Sequence, residues 1–321
     1  MSNLKVAILV PPEDREATAD RADTFVQAEQ ITECLKVLGN TSLTMFFGDD
    51  PEETAKHLRA ASPDLVVNLV EDVPEGPDQI YLATALLDRL HLPYTGAPTA
   101  TLAVLGDKRQ MKRQLQSAGL PIAPSLDEGN DQTRFIVKSA IEHASIGIDA
   151  ESIVTGPRAA ARLIAERKAQ FGGPWFAEAY IDGREFNVGI LETRNGPLPL
   201  PVAEILFLNH ADGRPKIVGY DEKWAENSAA YAETPRSFAL DPTDVPLRLN
   251  LTQLALAAWQ LFELKGYARV DFRVDDRGNP YILEVNANPC LAADAGFCAA
   301  ALEAGISQTD IVAHLIETAL A

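Results

Sequence analysis

The stretch YARVDFRVDDRGNPYILEVNANP, residues 267–289, constrains this chain more than any other. It reads as two strands, 267–274 and 281–286, joined around Asp275 to Pro280. Side chains on a strand alternate faces with a period of two. With Val274 opposite Tyr281, Asp271 falls opposite Glu284, and Arg269 falls opposite Asn286. One face then carries Arg269, Asp271, Glu284 and Asn286, and the other carries Val270, Phe272, Val274, Leu283 and Val285. Two carboxylates and an amide oxygen on rigid strands suit Mg²⁺, with Mn²⁺ as the alternative, completed by water and phosphate oxygens. Arg269 stands beside them, where negative charge would develop on a reacting oxygen. The competing reading is a solvated strand face held by cross-strand pairs.

Upstream, strand and helix alternate. Residues 4–10 read as a buried parallel strand, and 23–38 as a helix with Phe25, Ile31, Leu35 and Leu38 on its apolar side and Gly39 at its end. Strands at 43–47 and 65–70, helices at 51–61 and 78–90, and a short strand or turn at 93–96 complete an open α/β unit ending near residue 100. From Asp107 a helix carries Lys108 to Gly119, followed by a strand at 135–140 and a helix at 157–170. Residues 175–191 hold two strand patterns around Asp182-Gly183, a two-residue hairpin signal that puts Glu178 and Glu185 on one face. Residues 193–246, rich in Pro, Asn and Asp, include a long functional loop. A helix at 247–265 and a closing helix at 309–320 flank the first hairpin.

Composition narrows the function. The net charge of −18 over 321 residues argues against a nucleic-acid surface, which needs clustered Lys and Arg. A nucleotide needs only a few cations in one cleft. Three cysteines, Cys34, Cys290 and Cys298, form no CxxC pair and no zinc spacing with histidine, which fits a reducing cytoplasm. No apolar run reaches the ~18 residues of a membrane span, and the first ten residues read as a strand rather than a signal peptide. The expectation is a cytoplasmic protein with no nucleic-acid or membrane partner.

The R-x-D strand followed by E-x-N resembles the metal-binding end of the ATP-grasp fold, and nearly the whole chain resembles the D-alanine–D-alanine ligase family. LPYTGAPTATLAVLGDKRQMKRQLQSAGLPIAP at 92–124, FIVKSAIEHASIGI at 135–148, FAEAYIDGREFNVGI at 176–190 and YDEKWAEN at 220–227 carry the likeness. It implies mixed α/β and α+β architecture: a Rossmann-like parallel-sheet unit over 1–100, a central ATP-grasp unit over 101–178, and a C-terminal antiparallel-sheet unit with the metal site over 179–321. ATP would lie between the last two. By the same resemblance, Lys108 touches the α-phosphate, Lys138 the α- and β-phosphates, and Ser145 and Gly147 lie in a phosphate-covering loop. Glu178 faces the adenine amine, Ile181 offers backbone contacts, and Glu185 takes the ribose hydroxyls. Lys223 and Trp224 sit in the loop over the active site, with Lys223 at the γ-phosphate. Asp271, Glu284 and Asn286 hold the metal, and Arg269 stabilises the oxyanion. A homodimer is implied by the resemblance alone.

The departures fall on the amino-acid side. The family's first strand runs into a Gly-rich turn with a Ser and a Glu that hold an ammonium, whereas this strand runs into PPEDREA, where Glu13, Asp14 or Glu16 are substitutes. NLVEDVPEGPDQ at 68–79 replaces the family's HGxxGEDG, leaving Glu71 and Asp72 as candidate contacts. After Pro289 the family's carboxylate-binding Ser becomes Ala295, flanked by Asp294 and Gly296. Asp294 either meets substrate, repelling a carboxylate and attracting an amine, or caps the helix that begins near Gly296. Cys290 is a candidate thiol with no matching His. The functions that follow are an ADP-forming ligase that makes an amide or dipeptide-like bond through an acyl phosphate between amino acids or amino-acid-like substrates, with a true D-alanine–D-alanine ligase as the alternative; an ATP-grasp enzyme with a non-amine acceptor or unusual acid; and a non-catalytic nucleotide-binding regulator.

Overall fold

A computed structural model describes residues 3–12, 19–142, 147–208, 215–219, 232–239 and 241–321. Glu13, Ser145, Lys223 and Trp224 lie outside the described residues. The first sheet is parallel, in the order β2 (Thr41–Phe46), β1 (Lys5–Val10), β3 (Leu65–Asn68). Residues 6–10 of β1 and 65–67 of β3 are continuous buried apolar runs, as strands covered on two faces must be. The 93–96 segment joins this sheet through one parallel bridge, Val66 to Tyr94. Helices α1 (Ala19–Val37), α2 (Pro51–Ala61) and α3 (Tyr81–Leu90) cover it. Helix α2 starts as its sequence dictates: Asp50 accepts a hydrogen bond from the Glu52 amide at 2.9 Å, and Pro51 fills the first position.

Helices α4 (Thr99–Leu105) and α5 (Lys108–Ser117) lead to a small antiparallel sheet, β5 (Ile153–Thr155), β4 (Arg134–Ser139), β6 (Trp175–Ala179), backed by α6 (Pro157–Phe171). The large sheet runs β10 (Arg236–Ser237), β9 (Ala203–Ile205), β7 (Arg184–Thr193), β11 (Tyr267–Val274), β12 (Pro280–Asn286), with β8 (Gly196–Pro199) also paired to β7. Phe186, Val188, Ile190, Val270, Phe272 and Val274 point to one core, which α7 (Val245–Leu261) closes with Leu251, Ala255, Ala258 and Trp259. Helices α8 (Gly296–Glu303) and α9 (Gln308–Ala319) return to the first sheet. There Phe297, Ile311 and Leu315 share a core with Val6, Ile8 and Ile31, and Tyr267 and Leu191 reach into it from the large sheet.

Two expectations are corrected here. The Asp182-Gly183 connection is not a hairpin turn: β6 pairs with β4, while β7 pairs with β11, β8 and β9, so the chain crosses between sheets at this point. Glu178 and Glu185 therefore belong to different sheets. Glycine is needed at 183 for space: a Cβ there would lie 2.0 Å from the Val274 carbonyl oxygen. The second correction concerns the register. Arg269 pairs with Asn286 and Asp271 with Glu284, but the pairing then steps to Phe272 with Ile282, and Val274 meets Pro280 rather than Tyr281. Leu283 is the extra residue of a β-bulge, which breaks the alternation. Ile282 is fully buried in the core in its place.

Candidate active site

The polar face of the large sheet is built by three adjacent strands in register. Across β7, β11 and β12 run the rows Gly189–Arg269–Asn286 and Asn187–Asp271–Glu284, and Arg273 on β11 faces Glu185 on β7. Arg269 grips Asp271 with two hydrogen bonds, Nε to Oδ1 at 2.7 Å and Nη2 to Oδ2 at 2.9 Å. Asn187 donates to the same Oδ1 at 2.7 Å. Burial opposes the guanidinium charge of Arg269, but Asp271 and Glu284 outweigh it and drive its pKa further up. Lys108 Nζ stands 3.2 Å from Glu284 Oε1. Asn286 Oδ1 accepts from the Asn288 amide at 3.0 Å, which fixes the direction of its amide group. Among the described residues no group of three or more His, Cys, Asp or Glu side chains is arranged to hold a metal ion, and the donor set here is two carboxylates and an amide. All are hard oxygen donors, and the carboxylates already draw in Arg269 and Lys108 to balance their charge. That set fits Mg²⁺.

Helix α5 sets Lys108. Asp107 caps the helix, accepting from the Arg109 amide at 2.8 Å, and the Lys108 amide donates to the Ala140 carbonyl at 2.8 Å, tying the helix start to the end of β4. The buried face of α5 is Lys108, Met111, Lys112 and Leu115, at spacings of three and four. Lys112 was not singled out in the sequence. It meets Glu178 Oε2 at 2.5 Å, and Lys138 pairs with the other oxygen, Oε1. Glu178 is 2% exposed. Burial works against its carboxylate, but Lys112 and Lys138 more than offset this and hold its pKa below the usual carboxylate range. Glu185 pairs with Arg273 at 2.9 Å, and Ile181 lies in the crossing between β6 and β7. Gly147 has φ +69°, and a Cβ there would come within 2.8 Å of the Trp175 ring, so both its conformation and its space require glycine.

On the amino-acid side the structure brings together residues that the sequence did not connect. Cys290 Sγ donates to Asp23 Oδ2 at 2.8 Å. Gln27 Nε2 reaches Asp23 Oδ2 at 3.3 Å and Glu71 Oε1 at 3.5 Å, while its Oε1 accepts from the Leu291 amide at 2.8 Å. Glu71 thus joins this cluster. Asp23 is the acid that α1 supplies to it; a signal for it exists, because Gln27 occupies a fully buried position on the Thr24–Ala28–Ile31–Leu35 side of α1. A polar residue on a core stripe has to find partners. Asp294 does not cap α8: the cap position is Ala295, with no side-chain hydrogen bond. Asp294 is exposed, and Arg236 lies 3.5 Å from where a Gly296 Cβ would be.

Cys290 is poorly suited to act as a nucleophile. Burial, Glu71 and Asp23 all disfavour its thiolate and push its pKa far above that of a free thiol. Cys298 is pushed up to about 12, mainly by burial, and Cys34 is buried. The native protein should therefore react with iodoacetamide at pH 8 more than about 100-fold slower than a free cysteine, because the thiolate is the reacting form. All three thiols should label after denaturation. Rapid labelling of Cys290 in the folded protein would restore it as a candidate nucleophile.

The fold and this site define an ATP-grasp enzyme: buried Lys138 on the small sheet and buried Lys108 and Lys112 on α5 meet carboxylates of both sheets, beside an oxygen-donor row on the large one. The family model for the D-ala D-ala ligase C-terminus matches residues 130–317. A D-alanine–D-alanine ligase of Methylococcus capsulatus is 33% identical over 245 residues, 72% of either chain. That of Gluconobacter oxydans is 28% identical over 330 residues, 99% of this chain and 100% of its own. The crystal structure of a Bacillus anthracis D-alanine–D-alanine ligase complexed with ATP has the same fold, with TM-score 0.73 and 18% identity over 99% of this chain and 97% of that one. The chain belongs to the D-alanine–D-alanine ligase family and is an ATP-grasp ligase that forms a carbon–nitrogen bond. That sets aside the non-catalytic regulator. Among the described residues no helix is long and apolar enough to cross a membrane.

Proposed function

We propose that this enzyme joins an amino-acid-like carboxylate to an amine, converting ATP to ADP and phosphate, in a pocket altered from that of D-alanine dimerisation. The observation that carries this reading is the pairing of an intact oxygen-donor row, Asp271, Glu284 and Asn286, with the changed acidic cluster of Asp23, Glu71, Gln27 and Cys290. Lys108 and Lys138 neutralise phosphate charge, Glu178 faces the base, and Glu185 takes the ribose. By the family resemblance, Lys223 would meet the γ-phosphate with Trp224 next to it in sequence, and Ser145 and Gly147 would belong to the phosphate-binding segment. Asp271, Glu284 and Asn286 would hold Mg²⁺, which when bound would supply charge neutralisation for phosphoryl transfer. The substrate carboxylate is phosphorylated, the neutral amine attacks the acyl carbon, and phosphate leaves. Arg269, fixed by Asp271, stands ready to stabilise the tetrahedral oxyanion. Most of the rate comes from holding these groups in place.

The acidic cluster is suited to an ammonium group and unsuited to a carboxylate, so the amine-bearing end of one substrate belongs beside Asp23 and Glu71. A second reading, D-alanine dimerisation itself, is favoured by the names of the relatives at 28% and 33% identity. Release of ADP from Mg-ATP, measured against single and paired L- and D-amino acids and simple diamines, separates the readings. The expected result is release that depends on one carboxylate–amine pair other than D-alanine with itself. Full turnover with D-alanine alone would establish the second reading, and ATP binding with no productive pair would remove both. Sedimentation of the same sample tests the proposed homodimer.

A further inference from the structure

We propose that Lys112 is a specificity-determining positioning residue: its buried ammonium, wedged between Glu178 and the Ile282 carbonyl, keeps Glu178 ionised toward the nucleotide base and makes the site select adenine over guanine. The inference rests on the reading of Glu178 as the residue that faces the base.

The geometry is unusual for a lysine. Lys112 is 7% exposed, with Nζ 2.5 Å from Glu178 Oε2 and 3.3 Å from the Ile282 carbonyl. Helix α5 lies along β12: Met111 Sδ accepts from the Val285 amide at 3.3 Å, and Lys108 meets Glu284. Ile282 sits at the bulge, and its amide already donates to the Pro121 carbonyl at 2.8 Å. Lys112 thus takes the carbonyl of the same residue and bridges the large sheet to the small one. It is held at both ends.

Lys138 also touches Glu178, but from β4, and it is the lysine assigned to the phosphates. When Lys138 turns to phosphate, Lys112 remains as the counter-ion. Among the described residues the charged groups acting on Glu178 are Lys112 from α5 and Lys138 from β4, while Glu284 on β12 acts on Lys112. On the far edge Ser125 pairs with the Glu178 backbone and brings no charge.

An ionised carboxylate has acceptors only. The exocyclic amine of adenine donates to it. Guanine in the same ring position presents O6, another acceptor, and two desolvated acceptors facing each other both go unpaired. A protonated carboxyl could donate to O6 and would lose this discrimination. With the Lys112 charge removed, burial favours the protonated acid. The proton is then bound at low pH and leaves as pH rises, so selectivity should be weakest at the acid end.

Calorimetric dissociation constants for Mg-ATP and Mg-GTP, from pH 6 to 9, test this without any knowledge of the other substrates. In the wild type the GTP-to-ATP ratio should be high and flat. Lys112→Gln keeps a donor for the Ile282 carbonyl but no charge, and its ratio should fall by on the order of tenfold or more at pH 6 and recover as pH rises. Lys112→Arg should restore a flat ratio. Equal weakening of both nucleotides in Lys112→Gln, with the ratio kept, would overturn the proposal in favour of a purely structural lysine. Glu178→Gln is the control for the underlying reading: its ratio should fall at every pH, and an unchanged ratio would mean that Glu178 does not face the base. If Lys112→Gln does not fold, the wild type and Lys112→Arg still decide, since a ratio that falls toward pH 6 in either contradicts a fixed counter-ion.

Discussion

Glu284→Gln should abolish most turnover while leaving nucleotide binding and the fold in place. Glu284 stands opposite Asp271 in the β11–β12 ladder, and together they make the anionic half of the proposed metal site. A bound divalent ion contributes several kcal/mol to transition-state charge stabilisation. At about 1.4 kcal/mol per factor of ten, its loss costs roughly two to three decades in kcat. Gln keeps the shape of Glu and retains an amide oxygen for the Lys108 ammonium, 3.2 Å away in the wild type, so the buried lysine is not orphaned. The melting temperature should therefore move little. ADP release by the variant, with the productive substrate pair, together with its Mg-ATP dissociation constant, checks this. Turnover within about threefold of the wild type would remove Glu284 from the metal site, since uniform nucleotide binding cannot hide a loss made in the transition state.

This site was legible because its residues sit on two strands close in sequence, where alternation alone decides the face. Asp271 with Glu284 and Arg269 with Asn286 came out in register despite the bulge, because the bulge at Leu283 lies on the turn side of both pairs. Beyond it the same rule failed and Ile282, not Leu283, entered the core. Nothing in the alternation ILEVN marks which residue will be skipped. Lys112 was hidden differently. KRQMKRQLQS looks like an exposed polar helix, and its buried face includes two lysines that only partners from other sheets can satisfy. Asp23 is remote in sequence from both Glu71 and Cys290, and only the convergence of α1, the loop after β3 and the segment after β12 brings them together. A local pattern carries a strand face; it does not carry contacts among three distant segments.

The Asp182-Gly183 pair shows the same limit and leads to the largest stability effect expected from a single methyl group. The dipeptide looks like a hairpin turn, where glycine would be needed for its backbone freedom. In the structure, its role is to let β7 begin flush against the end of β11. Val274 pairs with Arg184, and the Arg273 guanidinium donates to the Gly183 carbonyl at 3.2 Å. A Cβ at 183 would lie 2.0 Å from the Val274 oxygen and 3.2 Å from the Asp275 Cα. Those are backbone atoms held at the end of a ladder, so no side chain can rotate to relieve the clash. Overpacking of this kind costs about 1–3 kcal/mol and occasionally more. Gly183→Ala belongs at the upper end, about 3 kcal/mol, and should lower the melting temperature by roughly 4–5 °C. Gly278→Ala is the comparison. Gly278 has φ +82° but nothing within 4 Å of its would-be Cβ, so only the conformational cost of about 1 kcal/mol applies. If glycine at 183 served backbone freedom, the two variants would melt alike. If it serves the close approach of β7 to the end of β11 within the large sheet, Gly183→Ala should melt a few degrees lower and should also weaken Mg-ATP binding, because the displaced crossing carries Ile181 and leads into Glu185.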